Sequence, residues 1–233
     1  MTRLLALLPL LACSRTTAPG FDGGGGSTGL PPTITISGTV AVYDSTQPAQ
    51  GEITVAANRL DDDSLVASTF TNAGAFSLTI PTSTPDFNDI YLVATAASYV
   101  PSYYNFQQEL FGSAYASIDL FTPTAFDGLF TATATTKTAN ASVIEAYAES
   151  YDGLPIAGAQ FQVGTGTVIY DASTGHPDTH VTSTSGDGRG YILNAVAGSI
   201  EMSSVDPPSS SREIRVYPTA VSEIELHTPP GAD

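Results

Sequence analysis

Histidine occurs at three positions, 176, 180 and 227, and two of these share one segment, His176-Pro177-Asp178-Thr179-His180. Imidazoles four residues apart share a face only on a helix. Pro177 and Gly175 place the segment in a loop, where spacing constrains little, so two polar loop histidines are expected rather than a metal centre. Asp61-Asp62-Asp63 offers oxygens of the kind Ca²⁺ takes. It lacks the D-x-D-x-D-G pattern and reads as a solvated turn between two strands, as does Asp187 in Gly186-Asp187-Gly188. Nucleophilic catalysis would call for a G-x-S-x-G elbow, and none is present. The 30 Thr and 24 Ser are so numerous that a chance Ser, His and Asp triangle carries no weight. The aromatic run Tyr99-Val100-Pro101-Ser102-Tyr103-Tyr104-Asn105-Phe106 is expected in a long loop before Gln107-Gln108-Glu109. Exposed tyrosines beside amides can stack on sugar or hold a peptide. The preferred expectation is that these rings close one end of a core, with Tyr99, Tyr103, Tyr104 and Phe106 as the candidate ligand contacts. No catalytic residue, cofactor site or metal ligand is assigned.

The elements that would position such groups are set by composition first. The chain has 233 residues, 42% of them apolar and 13% charged, with a formal charge of −16. That apolar fraction builds a core and excludes wholesale disorder. The acidic balance excludes phosphate-contacting nucleic-acid binding, which needs clustered Lys and Arg, and disfavours docking on anionic headgroups. The single cysteine excludes an internal disulfide and a thiolate zinc site.

Residues 1–12 read as a targeting signal. Arg3 precedes the apolar run Leu4 to Leu11, far shorter than the ~20 residues needed to span a bilayer. The run ends Leu10-Leu11-Ala12-Cys13, which resembles the bacterial lipobox, whose cysteine is acylated and becomes the new N-terminus. The resemblance makes Cys13 the lipidation site and the membrane a partner. Ser14 after it, in place of Asp, leans towards the outer membrane or cell surface. Residues 13–32 form a Gly- and Pro-rich tether, of which the 19 residues from Ser14 would span roughly 24 Å as a coil.

Beyond the tether the pattern is β. Ile34, Ile36, Val40 and Val42 alternate with Thr33, Thr35, Ser37 and Thr39, the period of a half-buried strand. Further strands are expected at Ile53–Ala57, Phe76–Ile80, Ile90–Ala96 and Tyr115–Phe121, then at 142–150, 159–163, 167–170, 190–196, 199–205, 212–217 and 221–226. One short helix is expected between them, with Thr122 as N-cap, Pro123 at its first position and Phe126, Leu129 and Phe130 on one side. Short strands at this spacing point to antiparallel sandwiches: residues 33–121 and 139–228, a connector at 122–138 and a tail at 229–233.

The two halves read as degenerate repeats. Gln47-Pro48-Ala49-Gln50-Gly51-Glu52 corresponds to Leu154-Pro155-Ile156-Ala157-Gly158-Ala159, and Thr71-Asn72-Ala73-Gly74-Ala75-Phe76 to Thr184-Ser185-Gly186-Asp187-Gly188-Arg189-Gly190-Tyr191. This order resembles the carboxypeptidase regulatory-like domain, a transthyretin-like β-sandwich. The second half carries the D-G-x-P-x-x-G-A entry at Asp152 to Ala159, and the first departs from it at Gln50-Gly51-Glu52. The resemblance implies two all-β, transthyretin-like or prealbumin-like sandwiches and a non-catalytic role. No histidine has a glutamate three residues on, as a zinc carboxypeptidase would need. The expected function is a structural or ligand-binding lipoprotein of the cell envelope, not an enzyme, with a protein or glycan as ligand. A carbohydrate-binding, starch-binding-like sandwich is the alternative, although the chain has no Trp, and an unrecognised hydrolase comes third.

Overall fold

The computed structural model describes residues 31–45, 47–82, 89–173 and 175–228. Cys13, most of the tether and the tail at 229–233 lie outside them. The described residues form an all-β sandwich protein with one short helix. The first seven strands are β1 (Thr33–Val42), β2 (Ile53–Arg59), β3 (Leu65–Thr71), β4 (Ala75–Pro81), β5 (Ile90–Thr95), β6 (Ser102–Asn105) and β7 (Ala114–Leu120). Helix α1 (Pro123–Ala132) follows. The remaining strands are β8 (Ser142–Ser150), β9 (Gln160–Val163), β10 (Thr167–Asp171), β11 (Pro177–Asp178), β12 (Arg189–Ala195), β13 (Gly198–Asp206), β14 (Arg212–Val216) and β15 (Val221–Thr228).

The alternation legible in β1 is its burial pattern: Ile34, Ile36 and Val40 are buried and the hydroxyl residues between them are not. Gly38 interrupts the apolar face because a Cβ there would lie 2.0 Å from the Ala116 carbonyl oxygen and 2.7 Å from the Phe76 ring. Helix α1 starts as its residues dictate. The Thr122 hydroxyl accepts from the Ala125 amide at 3.1 Å, Pro123 follows the cap, and Phe126, Leu129 and Phe130 are buried.

Three sheets result among the described residues. A small sheet has the order β4-β1-β7, a second has β14-β13-β9, and a nine-stranded sheet runs β11-β10-β12-β8-β15-β6-β5-β2-β3 through both halves. The wholly antiparallel pairing expected from the sequence is corrected at three places: β1 with β7, β15 with β6 and β15 with β8 are parallel. Alternation reports which face a residue occupies and says nothing about the neighbouring strand's direction. The run Ser102–Asn105, expected in a loop, is strand β6.

The parallel register across β6 and β15 fixes the layering. Tyr104 pairs with Glu223 and Asn105 with Ile224. Partners in register share a face and consecutive residues alternate. Tyr104 belongs to the core under β4-β1-β7, and Ile224 to the core under β14-β13-β9. The two small sheets therefore cover opposite faces of the central sheet, one over each half. In the second half the remaining face is covered at one end by α1, where Phe121, Phe126, Leu129 and Phe130 pack with Val143, Tyr191, Leu193 and Val221.

β14 closes against the open face of the first half. Arg215 donates to the Leu60 and Asp61 carbonyls and lies 3.4 Å from Asp63, while Arg212 pairs with Asp89 and donates to the Phe106 carbonyl at 2.9 Å. Tyr217 stacks on Tyr103 at 4.2 Å, and its hydroxyl lies 2.8 Å from that of Tyr91.

Candidate functional site

β15 lies beside β8, and their shared register builds a ladder on the face that α1 only partly covers. The pairs are Val221 with Val143, Glu223 with Glu145, Glu225 with Tyr147 and His227 with Glu149. The first rung is apolar and sits under the helix; every rung after it is polar. β12 adds Arg189 beside Tyr147 and Tyr191 beside Glu145. This face carries the densest set of perturbed ionisable groups among the described residues.

The central rung is sealed. Glu145 is 0% exposed and Glu223 3%. Both oxygens of Glu223 accept from the Asp119 amide of β7, at 3.1 and 3.2 Å. Glu145 Oε1 accepts from the Tyr147 hydroxyl at 2.9 Å and lies 3.6 Å from Arg189 Nη1. Arg189 Nε donates to Asp171 Oδ2 at 2.6 Å, and its guanidinium lies over the Tyr43 and Tyr191 rings at 5.5 and 5.6 Å. Glu145 Oε2 and Asp171 Oδ1 are buried with no hydrogen-bond partner. Burial first, then the charge of Asp119, pushes the Glu145 carboxyl up to about 8; the same causes, with Glu145 next, hold Glu223 well above the carboxylate range. Burial also raises Asp171, against the pull of Arg189. Facing carboxyls in this setting retain a proton at neutral pH, because a second buried negative charge costs more than holding it.

Above this rung a cleft of about 750 Å³ opens between the halves, lined among others by Thr39, Asp44, Tyr115, Asp119, Tyr147 and Arg189. The space below, bounded by Tyr104, Ser117, Asp119, Tyr147, Glu223 and Glu225, is too tight for a water molecule. Both carboxyls of the pair are raised, yet a substrate in the cleft meets Arg189, Asp119 and Tyr147 before it could reach Glu145.

The sequence candidates fall elsewhere. Tyr104 and Phe106 are buried in the first core with rings 5.1 Å apart, Tyr99 packs half-buried against that core, and Tyr103 is half-buried against Tyr217. His176 and His180 flank β11 and are exposed; His180 Nδ1 lies 2.9 Å from Asp178 Oδ1. Asp62 accepts from the Ser64 amide, and Asp63 faces Arg215 and Tyr91. Asp187 accepts from the Arg189 amide at 3.1 Å. Sequence reading missed Glu145, Glu149, Glu223 and Glu225. The signal was there: Glu145, Tyr147 and Glu149 in β8, and Glu223, Glu225 and His227 in β15, alternate with apolar residues, and a charge alternating with core residues needs a partner on its own face.

No family model and no curated protein matches this chain. Among solved structures, the Bacillus anthracis TIE protein is 12% identical with a TM-score of 0.29; the match covers 84% of this chain, which spans 34% of that one. The shaft pilin SpaA of Lactobacillus rhamnosus GG is 9% identical with a TM-score of 0.26, over 85% and 98%. The pilus backbone RrgB of Streptococcus pneumoniae is 8% identical with a TM-score of 0.27, over 84% and 64%. At such scores the likeness carries nothing about what this chain does. Among the described residues no helix is long and apolar enough to cross a membrane.

Proposed function

We propose that this chain is a non-catalytic module of the bacterial cell envelope, tethered through a lipidated Cys13, in which two carboxypeptidase regulatory-like halves act as a structural or ligand-binding unit. The observation that carries the non-catalytic reading is the sealed seam. Among the described residues, the facing pair of raised carboxyls, Glu145 and Glu223, lies under Arg189 and Tyr147 in the strands that join the halves. Groups spent on holding two lobes together suit a scaffold. The Leu10-Leu11-Ala12-Cys13 sequence supports the anchor, since stable attachment takes more than one acyl chain and a lipoprotein cysteine supplies several. Replacing Cys13 tests it: Cys13→Ala is expected to move the protein from the detergent phase to the aqueous phase, and unchanged membrane association overturns the anchor.

The glycan-binding alternative has one observation in its favour. Tyr115, 49% exposed, lies on the cleft beside Asp119 and Arg189, an aromatic face next to polar groups that suit sugar hydroxyls. Retention of a glycan by the full chain and its loss in Tyr115→Ala would select this reading over a purely structural one.

A further inference from the structure

The open end of the ladder has a different character from its sealed middle. Glu149 of β8 pairs in register with His227 of β15, and Glu225 stands two residues before His227 on the same face. His227 Nε2 lies 3.9 Å from Glu149 Oε2 and 3.9 Å from Glu225 Oε2, and one ligand atom from each of the three side chains falls within 4.8 Å of the others. Glu149 is buried, with its side chain 8% exposed, while Glu225 and His227 are 23% and 27% exposed. The group therefore has a buried floor and one side open to water. Its members sit on adjacent strands near the middle of a nine-stranded sheet, so their Cα positions are held by ladder hydrogen bonds rather than by a loop. The Tyr151 ring, 5.9 Å from the imidazole, flanks the group.

We propose that Glu149, Glu225 and His227 form a binding site for a divalent transition-metal ion of the Zn²⁺ class. The donor set is one imidazole nitrogen and two carboxylate oxygens, a borderline set that suits Zn²⁺ and its neighbours and is poorer for Ca²⁺, which takes six to eight oxygens. Ligands about 2.0–2.2 Å from a tetrahedral ion stand roughly 3.3–3.5 Å from one another. The two histidine–glutamate distances close from 3.9 Å by a few tenths of an ångström, and the two carboxylates, within 4.8 Å of each other, close by about an ångström or less each, within reach of glutamate torsions on a fixed backbone. Three protein ligands leave the solvent side for water, or for a donor group of a bound partner. The ion would tie β8 to β15 across their parallel seam and neutralise two carboxylates.

Equilibrium dialysis against Zn²⁺ of the full chain, carrying no polyhistidine tag, tests this. One saturable equivalent is expected, with a rise in melting temperature on addition of Zn²⁺. His227→Asn and, separately, Glu149→Gln should each weaken binding by roughly tenfold or more, and His227→Asn should abolish the thermal shift. The double variant His176→Ala with His180→Ala should bind as the parent does, because those exposed histidines lie outside the group. Should His227→Asn fail to fold by circular dichroism, Glu225→Gln, at a partly exposed position, takes its place. Absence of saturable binding, binding that survives both seam variants, loss in the His176 and His180 double variant instead, or equal competition by Ca²⁺ would each overturn the site.

Discussion

At the scale of single residues, the pair Glu145 and Glu223 makes the stability of the molecule depend on protons. Burial and the Asp119 charge raise both carboxyls in the folded state, with Glu145 adding to the rise at Glu223 and with Arg189 and the Tyr147 hydroxyl opposing at Glu145. The unfolded chain holds these protons less tightly, so unfolding releases protons between the ordinary carboxylate range and about pH 8 for Glu145. Stability contributed by the pair is full below that range and is lost as pH rises through it. The melting temperature should therefore fall as pH is raised from about 5 to 8.5, and Glu145→Gln, which mimics the protonated form, should flatten that profile. A melting temperature that climbs over this interval, or a variant profile parallel to the parent's, would show that no proton is held at the seam.

At the scale of elements, Gly188 tests the turn that leads into β12. Its φ is +70°, and a Cβ would lie 2.4 Å from the Ala148 carbonyl oxygen, with the Pro155 ring and Ile156 amide 3.2 Å away. Gly188→Val combines a left-handed backbone with a clash, a strain of roughly 2–3 kcal/mol, or a melting temperature lower by roughly 5 °C or more; an unaltered melting curve would refute the turn assignment. This position was legible because Gly186-Asp187-Gly188 is a turn-forming cluster between two strands, and glycine is the residue a left-handed backbone needs. The half-buried strands were legible for a similar reason, Ile34, Ile36 and Val40 alternating with hydroxyl residues in β1. So was α1, whose Thr122 cap and Pro123 are local signals. β6 was not, because four residues after Pro101, with Tyr103 and Tyr104 side by side, give no alternation to read. The Glu149, Glu225 and His227 group was equally hidden. It exists only through the register of two strands some 70 residues apart in sequence, and no local pattern states that register.

At the scale of the whole molecule, β15 makes one sheet of two lobes, and Arg212, Arg215 and Tyr217 fasten the second lobe to Asp89, Asp63 and Tyr103 of the first. Calorimetry should record a single endotherm whose calorimetric and van't Hoff enthalpies agree. Two resolved transitions would mean that the lobes melt independently despite the shared sheet. The same strand also has a temporal meaning. It is the last strand of the described chain, and it belongs in the middle of the widest sheet, between β8 and β6. For a polypeptide made amino end first, β8 and β6 each wait with one unpaired hydrogen-bonding edge until residues 221–228 are available. Closure of the widest sheet is thus deferred to its latest-made strand, and neither lobe has a complete central sheet before that strand docks.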